Sequence, residues 1–155
     1  MKKICLITLL GLLAFGTLTQ AQTSPKAIPM LLMNNPWIEK ELLAPSELAT
    51  AIKSGAAKTP LILNIGAVED IKGAQHIGAV SDAENLVKLR RAIADLPKNT
   101  EVVIYCGCCP FTKCPNIRPA FNELKKSGFT DIKLLNLPVN LNTNWVTKGY
   151  PLAAK

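Results

Sequence analysis

The chain has 155 residues, 48% of them hydrophobic and 19% charged, with 18 Lys and Arg against 11 Asp and Glu and a formal net charge of +7. That length suits one compact domain around a single core. After the first residues the basic side chains are scattered, paired only at Arg90-Arg91 and Lys125-Lys126; a nucleic-acid binder gathers its charge on one face beside aromatic platforms, so the composition argues against that class and for a mildly basic, solvated surface.

The chain opens with MKKICLITLLGLLAFGTLTQA, which carries two lysines, an apolar run from Ile4 to about Phe15, and small residues at Thr19 and Ala21. This is the layout of a secretory signal peptide, and its apolar run is short of the roughly 20 residues a bilayer span needs. Residues 1–21 are therefore expected to be cleaved, taking Cys5 with them. The mature protein is expected in the periplasm or outside the cell, with no stable membrane insertion. Residues 22–37 read as a flexible, proline-punctuated lead-in, and residues 38–155 as the folded domain.

Within that domain APSELATAIKSG predicts a short helix, capped by Ser46 and stopped at Gly55. LILNI (61–65) predicts a buried strand between Pro60 and Gly66. DAENLVKLRRAIADLP sets Leu86, Leu89, Ile93 and Leu96 at helical intervals; EVVIY follows as a second buried strand, PAFNELKKSG as a helix closed by Gly128, and DIKLLNL as a third strand. NTNWVTKGYP reads as a short helical turn and an exit. The alternation predicts an α/β fold, a central parallel sheet with helices on both faces. In such sheets the site lies at the carboxyl ends of the strands, where Gly66 and Cys106 fall.

CGCCPFTKCPNIRPA (106–120) holds the four cysteines that remain after cleavage. Three readings compete. As a metal site, four thiols so close together strain a tetrahedral closure; no zinc or iron is expected, and soft Cu(I) suits such a cluster better. The single histidine, His76, reads as a brace for the loop after the first strand. As a disulfide clasp, Cys109 and Cys114 bracket PFTK at a workable distance in an oxidising compartment, whereas the adjacent Cys108 and Cys109 are poor partners. As a nucleophile, placement selects Cys106: it ends a strand and faces loop amides and a helix N-terminus, which favour thiolate.

EVVIYC, AFNELKKSGF, DIKLLNL and the closing W-x-x-x-G-Y-P-L resemble the second half of a rhodanese-like (sulfurtransferase) domain, at Cys106, Leu124-Lys125, Gly128-Phe129, Trp145 and Gly149-Tyr150-Pro151. The first half is similar with departures. Asn64 stands where an aspartate is usual, Gly66 where an arginine is usual, and residues 75–79 lack the usual proline. The resemblance spans roughly residues 40–152, and the longer Cys-rich loop looks like that of an exported subgroup. It implies a rhodanese-like fold and, without a cofactor, a persulfide on Cys106 passed to a thiol or cyanide acceptor. The donor would be a thiosulfate-like molecule or a protein thiol. Loop amides from Gly107 onward would cradle the sulfur, Lys113 and Arg118 would hold an anionic donor, and counting back from the helix sets Asn116 at the family's arginine position. Cys108 would act as a resolving thiol, with Cys109 and Cys114 available for a disulfide. The alternatives are thiol-disulfide or Cu(I) handling by the Cys cluster, and an inactive binding module. None of the four cysteines has an arginine at the offset that the related phosphatases need.

Overall fold

The computed structural model describes residues 36–55 and 59–154. The expected signal peptide, and all of the lead-in before residue 36, lie outside the described residues. Among the described residues five strands and four α-helices follow in the order β1 (Leu42–Leu43), α1 (Pro45–Ser54), β2 (Leu61–Asn64), β3 (Ala74–His76), α2 (Ala83–Ile93), β4 (Val102–Tyr105), α3 (Ile117–Lys126), β5 (Ile132–Leu135) and α4 (Leu141–Asn144). The sheet runs in the order β1-β5-β4-β2-β3 with every pairing parallel. Among the described residues no helix is long and apolar enough to cross a membrane.

The continuous apolar runs are strands because a parallel sheet is covered on both faces. Every residue of β4 is buried. Leu63, Val102, Ile104 and Leu134 pack with Leu89 and Ile93 of α2 and with Ala120, Phe121 and Leu124 of α3. The alternate strand positions Ile62, Val103, Tyr105 and Leu135 pack on the opposite side, with Leu48 and Ala49 of α1, Leu141 of α4, and Trp145. Each strand thus feeds two cores by its two-residue period.

Several boundaries differ from the sequence reading. Ser46 does not cap α1: Pro45 is its first residue and Ala44 occupies the cap without a side-chain hydrogen bond. The fixed φ of proline starts the helix instead. α3 begins at Ile117, two residues ahead of the expected PAFNELKKSG. β1 and β3, of two and three residues, went unread. Trp37 belongs to the fold, its ring 4.7 Å from that of Phe121 in an edge-on contact.

Candidate active site

The site forms where β2 and β4 end side by side. Asn64, the last residue of β2, is fully buried. Its Oδ1 accepts from Gly66 N (3.1 Å), while Nδ2 donates to Val68 O and to Asp70 Oδ1, both at 2.8 Å. One amide therefore ties the whole turn from 66 to 70, and Asp70 in turn contacts His76 Nδ1 at 2.9 Å. From β4, Tyr105 Oη accepts from Ile71 N (2.9 Å) and donates to Glu69 O (3.3 Å). Two neighbouring strands thus fix the loop after β2 at both ends.

Cys106 is buried behind this loop, 1% exposed. A Cβ on Gly66 would collide with the Cys106 carbonyl oxygen and lie 2.8 Å from its Sγ, so only glycine leaves room for the thiol. Gly107 has a left-handed φ of 77°, and a Cβ there would lie 2.8 Å from Leu141 Cβ and 3.0 Å from Val68 Cγ2. The Gly107 carbonyl accepts from Leu141 N at 2.8 Å, and Phe111 N donates to Leu137 O at 3.2 Å. The segment after β5 therefore grips the Cys-rich loop.

The thiols converge. Cys106 Sγ is 3.3 Å from Cys108 Sγ, and Cys108 Sγ is 3.4 Å from Cys109 Sγ. The Sγ atoms of Cys106, Cys108 and Cys114 all lie within 4.8 Å of one another. Asn116 crosses behind them: its Oδ1 accepts from Ser81 N at 2.8 Å and its Nδ2 donates to Cys106 Sγ at 3.2 Å. Cys106 is the common acceptor. The Cys114 thiol most strongly, then the Asn116 amide and the Cys108 thiol and N–H, hold its pKa down to about 5 against the opposing effect of burial. The donors shift in the reverse direction: the Cys114 thiol is pushed up, chiefly by its bond to Cys106, and the Cys108 thiol, on an exposed residue whose sulfur is turned to the cluster, is pushed up to about 12 by partial desolvation there and by its bonds to Cys106 and Cys109. The backbone N–H groups of Asn116 and Ile117, at the start of α3, favour the charged form of Cys114 and lower its pKa against the larger upward effect of Cys106.

Lys113 and Arg118 are both on the surface. Lys113 is exposed in the turn Phe111–Lys113. Arg118 is exposed, with its guanidinium 5.8 Å over the Trp37 ring. A groove of about 380 Å³ opens beside the thiols, lined among others by Val68, Glu69, Gly107, Cys108, Asn140 and Leu141. Neither Lys113 nor Arg118 lines it, and Cys108 is the cysteine that does. The wall from 140 to 142 carried no chemical signal in the sequence; only the pairing of β4 with β5 brings it there.

No protein-family model matches the chain, and neither does any curated protein. Solved structures do. The rhodanese-like domain of the Anabaena sp. Alr3790 protein superposes with a TM-score of 0.52 at 18% identity, over 74% of this chain and 80% of that one. The BH2092 protein of Bacillus halodurans superposes with a TM-score of 0.55 at 16% identity, over 74% of this chain and 77% of that one. These are likenesses of fold, and the fold of this chain is rhodanese-like.

Proposed function

We propose that the protein is an exported sulfurtransferase that carries sulfur as a persulfide on Cys106. The observation behind this reading is the convergence of the Cys114 thiol, the Asn116 amide and the Cys108 N–H on one buried sulfur at the end of β4. They favour the thiolate, which is the nucleophile. With thiosulfate, Cys106 Sγ forms a bond to the outer sulfur and sulfite departs with the electron pair of the broken S–S bond. The persulfide then gives that sulfur to an acceptor thiolate or to cyanide, and the Cys106 thiolate returns. One difficult transfer becomes two easier ones. The groove has the carboxylate Glu69 and two asparagines on its walls and no Lys or Arg. That lining favours a thiol or persulfide partner over a dianionic donor.

A second reading rests on the 3.3 Å between Cys106 and Cys108 Sγ. Attack of the Cys108 thiol on Cys106 Sγ within the persulfide would form a Cys106–Cys108 disulfide and release hydrogen sulfide, giving a thiol-disulfide factor. Both readings are tested by incubating reduced protein with cysteine persulfide and, separately, with thiosulfate, then mapping peptides by mass. One added sulfur on Cys106, lost with Cys106→Ser and retained with Cys109→Ser, is the expected result. A Cys106–Cys108 disulfide with sulfide release, lost with Cys108→Ser, would favour the second reading. The absence of both an adduct and a Cys106–Cys108 disulfide with either donor would refute both readings.

A further inference from the structure

Sulfur transfer by Cys106 uses Cys114 only as a hydrogen-bonding neighbour and forms no bond to it. Cys114 comes from the turn before α3, is 4% exposed, and points its Sγ at the same place as those of Cys106 and Cys108. A disulfide would use two of these sulfurs and strand the third. A single ion would use all three. Metal–thiolate bonds of about 2.3 Å in a trigonal arrangement hold the sulfurs about 4 Å apart, and the three Sγ atoms already lie within 4.8 Å of one another. The cluster contains no imidazole and no carboxylate. His76 is turned to Asp70 instead. Zinc in structural sites takes four protein ligands, whereas Cu(I) is selected by soft thiolates.

We propose that Cys106, Cys108 and Cys114 form an all-sulfur, three-coordinate site for Cu(I). The outer groups suit that role. Asn116 Nδ2 donates to Cys106 Sγ at 3.2 Å, and its Oδ1, which accepts from Ser81 N, fixes the amide in that orientation. This donor orients the thiolate and offsets part of the negative charge gathered around the ion. Cys106 and Cys114 are buried and Cys108 is exposed on the groove. The ion therefore enters and leaves through Cys108, by exchange with a thiol-bearing carrier. This inference does not rest on the persulfide reading. It does use the same sulfur, so a loaded site is closed to sulfur transfer.

The test is an anaerobic titration of the reduced full chain with Cu(I) against a competing chelator, followed by X-ray absorption at the copper edge. The expected outcome is one Cu(I) per chain with three sulfur neighbours. Cys108→Ser, a substitution at an exposed position, should weaken binding by about 100-fold or more, and Cys109→Ser by no more than about threefold. Failure to compete with the chelator would overturn the proposal. So would nitrogen or oxygen neighbours, wild-type affinity in Cys108→Ser, or an equal loss in Cys109→Ser.

Discussion

A thiol at the end of a fully buried strand would ordinarily stay protonated, because burial disfavours the charged form. Cys106 runs against this, held down to about 5, with the Cys114 thiol as the largest cause. The thiolate is thus present above that value and is lost as pH falls through it. Alkylation of Cys106 in the reduced protein should stay near its full rate from pH 8 to 6 and decline around pH 5, as mapped on the Cys106 peptide. Cys114→Ala removes the strongest donor and should move the inflection up toward the ordinary thiol range of about 8.5. An unmoved inflection would mean that Cys114 does not hold the charge in place. The sequence singled out Cys106 from its position at a strand end, and counting back from the helix found Asn116. The part played by Cys114 was illegible. It depends on α3 starting at Ile117, which leaves Cys114 in the turn before the helix with its sulfur beside that of Cys106.

At the scale of elements, the pocket is a contact between two strand ends, with loops from a third. β2 and β4 pair in register from Leu61 with Val102 to Asn64 with Tyr105. That register carries Gly66 against Cys106. Sequence reading found the long apolar strands and the two long helices, whose periodic or continuous apolar patterns are strong. It missed β1 and β3 because two or three residues carry no pattern. It also placed the start of α1 on Ser46, since a proline-led start leaves no polar cap to recognise. Nothing local to Gly66 shows that the place of its missing side chain is taken by a neighbour's carbonyl oxygen and sulfur; only the β2–β4 register does. Gly66→Ala should therefore act on Cys106, its carbonyl and its thiol together, rather than on the turn, whose φ is not left-handed. Overpacking of this kind costs about 1–3 kcal/mol. Cys106 alkylation should slow in the same variant while the tie from Asn64 to Asp70 persists. Wild-type reactivity and stability together would show that the two loops part more readily than their packing indicates.

Across the whole molecule, the cores on either face of the sheet do different work for the site. The face covered by α2 and α3 contains Cys106 and Cys114 themselves. The opposite face, around Trp145, holds the walls. Trp145 is fully buried, donates from Nε1 to Pro151 O at 3.1 Å, and meets the Tyr150 ring edge-on at 5.2 Å. Its backbone N–H donates to Leu141 O, in the helix that grips Gly107. Beyond it, Pro151 O accepts from Lys72 N, Ala153 N donates to Asp70 O, and Leu152 bridges Ile71. The last residues thus strap the loop after β2 from outside. The closing W-x-x-x-G-Y-P-L was legible as a motif, but its attachment to residues 70–72 was not, because it joins segments far apart in the chain. Trp145→Ala should cost about 3–5 kcal/mol, the usual loss for a buried aromatic, seen as a lower urea midpoint at unchanged slope. The donors to Cys106 come from the Cys-rich loop and the start of α3, so the pH at which Cys106 alkylation falls should hold in the folded variant. A loss below about 1 kcal/mol would show that the strap, and not the tryptophan, carries this face of the fold.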